Sequence, residues 1–167
     1  MNDENKDEVL IELTNSDTVD VDLDRHRGYV KCLLDVLDLA DSVEIYINFV
    51  PSSEIQELNE TYLKHTGPTD VLSFPIEPAE YFSNRFGILS GREFHNKISG
   101  HLLLGDIYIC PTFVKNQAFE LNVSFNDELA LLLVHGLLHL MGLDHEADDE
   151  AEFMEELERK LIKRCYV

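Results

Sequence analysis

"NDELALLLVHGLLHLMGLDH", residues 126–145, is apolar almost all round from Leu129 to Met141. It reads as a helix buried inside the protein rather than an amphipathic surface helix. His135 and His139 stand four residues apart, one turn apart on one face, with Cβ atoms roughly 5–6 Å from each other. Two imidazoles so placed can meet one ion at about 2.0–2.1 Å. His145 cannot join them on a continued helix, because ten residues at about 1.5 Å each carry it some 15 Å along the axis. The chain must turn back, and Gly142 stands where a helix ends in a left-handed residue. The spacing H-x3-H-x5-H, with glycine before the last histidine, therefore predicts a metal held by His135, His139 and His145.

A single histidine on an apolar helix is ordinarily a core residue satisfied by one hydrogen bond. Three at this spacing around a glycine turn point to a metal site, and burial keeps imidazoles neutral and able to ligate. A closed structural zinc site needs a fourth protein ligand, usually cysteine. None adjoins in sequence, and Cys110 is the remaining candidate. Three histidines plus water, the open catalytic arrangement, is the favoured reading, with one Zn(2+) per chain and a metal-bound water as the reactive group.

Zinc proteases write H-E-x-x-H, with a glutamate general base after the first histidine. Here that slot holds Gly136. Three neutral imidazoles leave the full +2 charge on zinc, which favours ionising its water toward a pKa of about 7. A glutamate at 136 would set a negative charge beside a bound phosphodiester. Gly136 is read, with Gly142, as a structural position that leaves room for a nucleotide, which favours phosphodiester over peptide hydrolysis. A metalloprotease-like hydrolase is the alternative. Asp144 and Asp106 are candidates to orient a ligand or act as a base. Asp144 could equally cap the acidic helix that follows. Asp106, inside an apolar strand, is expected to be paired. Ser73 reads as a strand residue on the wetter face.

Along the rest of the chain, 9–13 ("VLIEL"), 42–50, 69–74 and 102–110 read as strands, and 24–40, 52–65, 111–121, 126–141 and 148–164 as helices. The order predicts an α+β fold with one mixed sheet of about four strands packed with helices. Residues 1–167 form one domain, 1–8 fraying and 77–100 a long loop of the kind that is usually functional. Cys32, Cys110 and Cys165 are odd in number and far apart, which argues against a disulfide framework and for a reducing compartment. The acidic start "MNDENKDEVL" is no secretory signal, and no run reaches the roughly 20 apolar residues that span a bilayer. A cytoplasmic location follows. The net charge of −20 speaks against charge-driven binding to nucleic acid or membrane and suits basic protein partners. An anionic substrate must meet local bases, and Lys64, Arg85, Arg92 and Lys97 are the candidates.

"HGLLHLMGLDH" (135–145) closely resembles the H-G-x-L-H-L-x-G-x-D-H signature of the YbeY family of bacterial rRNA maturation endoribonucleases. "GPTDVLSFP" (67–75) and "LGDIYIC" (104–110) match in the same order, so the resemblance covers roughly residues 42–160. It implies a fold like that of metal-dependent proteases, with His135, His139 and His145 as the ligands. The implied activity is single-strand-specific, metal-dependent cleavage in 16S rRNA 3′-end maturation and ribosome quality control. Implied partners are rRNA within the small ribosomal subunit, basic ribosomal proteins and an assembly GTPase, with no membrane. A ribosome-binding assembly factor with a structural metal is a further alternative. Many family members place an arginine directly after the tyrosine of the preceding helix. Here Leu63 follows Tyr62, and Lys64 can offer a point charge without bidentate geometry.

Overall fold

The patterned segments fold as strands and helices close to where their periodicity puts them. In the computed structural model, residues 8–77, 82 and 98–166 are described. Glu8–Asn15 forms β1, Leu23–Leu37 α1, Ala40–Phe49 β2 and Ser52–Leu58 α2. A π turn, Asn59–Leu63, continues α2. Val71–Pro75 is β3, Ile98–Ile109 β4, Pro111–Leu121 α3, Phe125–Leu140 α4 and Asp148–Cys165 α5.

The strands make one sheet in the order β1-β2-β4-β3, with β1, β2 and β4 parallel and β3 antiparallel to β4. This is the mixed α+β architecture expected. In β2 the burial alternates: Val43, Ile45, Ile47 and Phe49 are buried, while Glu44, Tyr46 and Asn48 are only partly covered. The core thus lies on one face of the sheet. There α4 crosses β3 and β4, with α1 and α5 packed beside it. A smaller cluster of Val50, Ile55, Leu72 and Cys110 holds α2 against the other face. No described helix is long and apolar enough to cross a membrane.

Three expectations need correction. The helix expected over 52–65 leaves α geometry after Leu58. Asn59 is buried and its side-chain amide donates to the Gly67 carbonyl at 2.9 Å, so the chain is drawn round through the π turn to Lys64, at φ 59°. Second, the loop expected over 77–100 ends sooner, since Ile98–Gly100 already belong to β4. Residues 78–81 and 83–97, with Arg85, Arg92 and Lys97, lie outside the described residues, as do 1–7 of the segment expected to fray; Glu8 is in β1. Third, Cys32 and Cys165 are not apart. The fold brings α1 and the end of α5 together with Cα atoms 5.6 Å apart, and the two cysteines form a disulfide. Spacing in sequence carries no record of that approach.

Candidate metal centre

The centre is built by the end of α4 and the turn after it. Ser124 starts α4 by accepting a hydrogen bond from the Asp127 amide, and Asp127 and Glu128 place negative charge in the first turn, where the helix dipole favours it. The apolar run then drives α4 into the core, and only His135 and His139 among its last two turns of side chains stay partly open. At the C-terminus, Gly142 takes φ 85°. Its amide donates to the His139 carbonyl at 3.0 Å and the Leu143 amide to the Leu138 carbonyl at 3.1 Å. That is the Schellman pair of bonds. The turn reverses the chain and brings His145 back.

Each of the three histidines offers one ring nitrogen, and these atoms lie within 4.8 Å of one another. The Nε2 atoms of His135 and His139 are 2.9 Å apart. Two nitrogen ligands at about 2.0–2.1 Å from one tetrahedral ion stand about 3.3 Å apart, so small adjustments suffice to seat an ion. The outer ring nitrogens are engaged elsewhere. His139 Nδ1 donates to the Leu143 carbonyl at 2.7 Å, and His135 Nδ1 meets the Glu158 carboxylate at 2.5 Å. Both Nε2 lone pairs therefore point to the common centre. Burial, reinforced by neighbouring His135, holds the His139 imidazole below its usual pKa, which favours the neutral ring that can ligate. The donor set fits a zinc-type ion.

The histidines form part of the wall of a cleft of about 730 Å³, between the β3 edge and the turn at Gly142–Glu146. Gln117 steadies this wall from behind: its amide donates to Asp70, at the start of β3, and to buried Glu128 of α4. Ser73 does more than expected of a strand residue, because its hydroxyl donates to the Gly136 carbonyl at 2.9 Å and ties β3 to α4.

Other site candidates are placed differently. Gly136 is mid-helix, not in a turn, and its reason is packing. A Cβ there would stand 3.1 Å from Ile107 Cγ2 and 3.2 Å from Ser73 Oγ, so the missing side chain lets α4 lie close against the sheet. Asp144 lines the cleft, and its carboxylate accepts from the His145 amide at 2.8 Å; the N-cap of α5 is Ala147, not Asp144. Asp106 neighbours Ile107, which faces α4, so it projects from the opposite face of the sheet, among Tyr62, Phe74 and Tyr108. Burial raises its pKa, an effect that Asn48 partly opposes. It is not part of the centre. Lys64 turns its ammonium to the Thr61 carbonyl at 2.8 Å, and the cleft wall carries Leu63 and His65 instead. Cys110 is buried under α2 beside Ser52, not among the ligands.

Sequence reasoning missed Glu158 and His65. A signal for Glu158 existed: it shares the buried stripe of α5 with Met154, Leu157, Leu161 and Cys165, where a charge is out of place. His65 had no comparable signal.

A family model described as Endoribonuclease YbeY matches residues 12–166. A protein of Beutenbergia cavernae named Endoribonuclease YbeY is 36% identical over 151 residues, covering 90% of this chain and 93% of its own. One of Acidothermus cellulolyticus with the same name is 35% identical over 154 residues, covering 92% and 90%. A Thermotoga maritima protein known from its solution structure shares the fold, with TM-score 0.56 and 24% identity over 92% of this chain and 90% of its own.

Proposed function

Because the chain belongs to the endoribonuclease YbeY family, we propose that it is a metal-dependent endoribonuclease that cuts single-stranded RNA in 16S rRNA 3′-end maturation. The observation that carries this reading is the convergence of three imidazole nitrogens, within 4.8 Å, on one wall of an open cleft. A divalent ion held by His135, His139 and His145, zinc by the chemistry of the donor set, supplies positive charge that polarises a phosphoryl oxygen and activates water. The chain itself orients the rings. The Leu143 carbonyl and the Glu158 carboxylate take the outer N–H groups, so both inner lone pairs are available without a conformational search. A cleft of about 730 Å³ is of the size that encloses a small ligand, which suits one strand whose phosphate reaches the histidines. Leu63, His65 and Asp70 share the wall with them, and no lysine or arginine is among the described residues that line it.

The net charge of −20 makes delivery by basic ribosomal proteins the economical route to rRNA. A cytoplasmic role in ribosome quality control accords with it. The test combines metal analysis of the purified protein with single-turnover cleavage of single-stranded and duplex RNA by wild type and His139→Ala. One ion per chain, cleavage of the single strand alone, and loss of both ion and cleavage in the variant are expected. Undiminished cleavage by folded His139→Ala refutes the proposal.

A further inference from the structure

We infer that Glu158 is a positioning residue for the histidine centre, holding His135 in the tautomer that turns Nε2 inward and thereby coupling the docking of α5 to metal affinity. The inference rests on the metal reading of the centre given above. Glu158 is 8% exposed, on a helix face otherwise made of Met154, Leu157, Leu161 and Cys165. A carboxylate in such a place is costly unless it is paired, and an apolar residue of similar volume would ordinarily serve packing as well or better. Its partner is His135 Nδ1, at 2.5 Å, and among the described residues it forms no ion pair with a lysine or arginine. The pairing is therefore specific to the ring.

The geometry gives that pairing a direction. A carboxylate accepts, so Nδ1 carries the proton and Nε2 keeps its lone pair. That Nε2 lies 2.9 Å from the His139 Nε2, where two inward lone pairs are favourable only about a shared cation. His139 is held by a neutral carbonyl, that of Leu143. Glu158 is thus the anion that acts on the centre from behind, raising the basicity of His135 as a ligand. It comes from an element eighteen residues long that begins after the ligand turn, so the site is complete only when α5 is docked.

The experiment uses full-length protein freed of metal, titrated with zinc(II) and cobalt(II) against a chromophoric chelator, with nitrogen NMR of the histidine rings before metal is added. Wild type should bind one ion and show His135 protonated at Nδ1. Glu158→Ala should lose about 10–100-fold in affinity and show a mixed His135 tautomer. Glu158→Gln, whose amide oxygen still accepts, should lose less and keep the tautomer. Leu161→Ala removes packing from the same helix face and should lower thermal stability while costing less metal affinity than Glu158→Ala and keeping the His135 tautomer. Wild-type affinity and tautomer in Glu158→Ala overturn the inference; if that variant does not fold, the same result is sought as an unchanged cobalt spectrum and tautomer in Glu158→Met, which keeps the packing volume. Equal losses in Leu161→Ala and Glu158→Ala also overturn it, since packing would then be the cause. A wild type that binds no ion refutes the metal reading instead, and the ring tautomer still reports whether Glu158 holds His135.

Discussion

Replacing Gly142 tests how the turn makes the centre, without touching a ligand. Gly142 sits at φ 85°, a conformation that costs an L-residue with a Cβ about 1–2 kcal/mol. Two bonds depend on it directly, Gly142 N–H to His139 and Leu143 N–H to Leu138. A third depends on it indirectly, because the Leu143 carbonyl that accepts from His139 Nδ1 is placed by the same turn. If Gly142→Ala keeps the turn with and without metal, the strain appears in both states and lowers stability alone. If the metal-free turn relaxes, binding must restore it, and the strain is subtracted from binding. The loss is then about 5- to 30-fold in affinity, since about 1.4 kcal/mol is tenfold. Gly142→Asn should fall between alanine and wild type, because asparagine tolerates left-handed backbone better. Chelator competition measures affinity, and urea unfolding in the presence of chelator measures stability. Unchanged values of both in Gly142→Ala would refute the argument that the glycine makes the turn.

Gly136→Ala should cost about 1–3 kcal/mol through overpacking against Ile107 and Ser73, while metal stoichiometry is kept; an unchanged urea midpoint contradicts the packing account. Reduction of the Cys32–Cys165 disulfide, which closes a loop 133 residues apart in sequence, should lower stability by up to about 5 kcal/mol on chain-entropy grounds. Cys32→Ser should unfold like reduced wild type, and an indifferent melting temperature under reductant would show that the link contributes nothing. Burial holds the His26 imidazole below its ordinary value of 6.5, although its bond to the Asp22 carbonyl works the other way. The unfolded chain therefore takes up that proton first as the pH falls, and this contribution to stability, full above 6.5, is lost below it. In metal-free protein, His26→Gln should show a shallower fall in stability between neutral and mildly acid pH than wild type; identical slopes would exclude His26 as the source.

The sequence alone determined the element order, the mixed sheet and the three histidines that converge. Each depends on short-range regularity: a period of two in β2, an apolar run in α4, four residues between His135 and His139, and a glycine where the helix must end. Such features are local, and a backbone with few allowed conformations turns them into geometry directly. What only the tertiary structure decided is how distant segments meet. Glu158 is 23 residues from His135, and nothing in either stretch states the angle at which α5 crosses α4. Cys32 and Cys165 are paired only because α1 and α5 pack together. Asp106 looked close to the chemistry, yet strand alternation put it on the other face. Gly136 was legible as a missing glutamate, but its close approach to Ile107 and Ser73 was not, because both lie on strands brought against the helix by the closing of the core. Pairings of this kind are selected by close packing of whole elements, a property of the assembled chain that no window of residues contains.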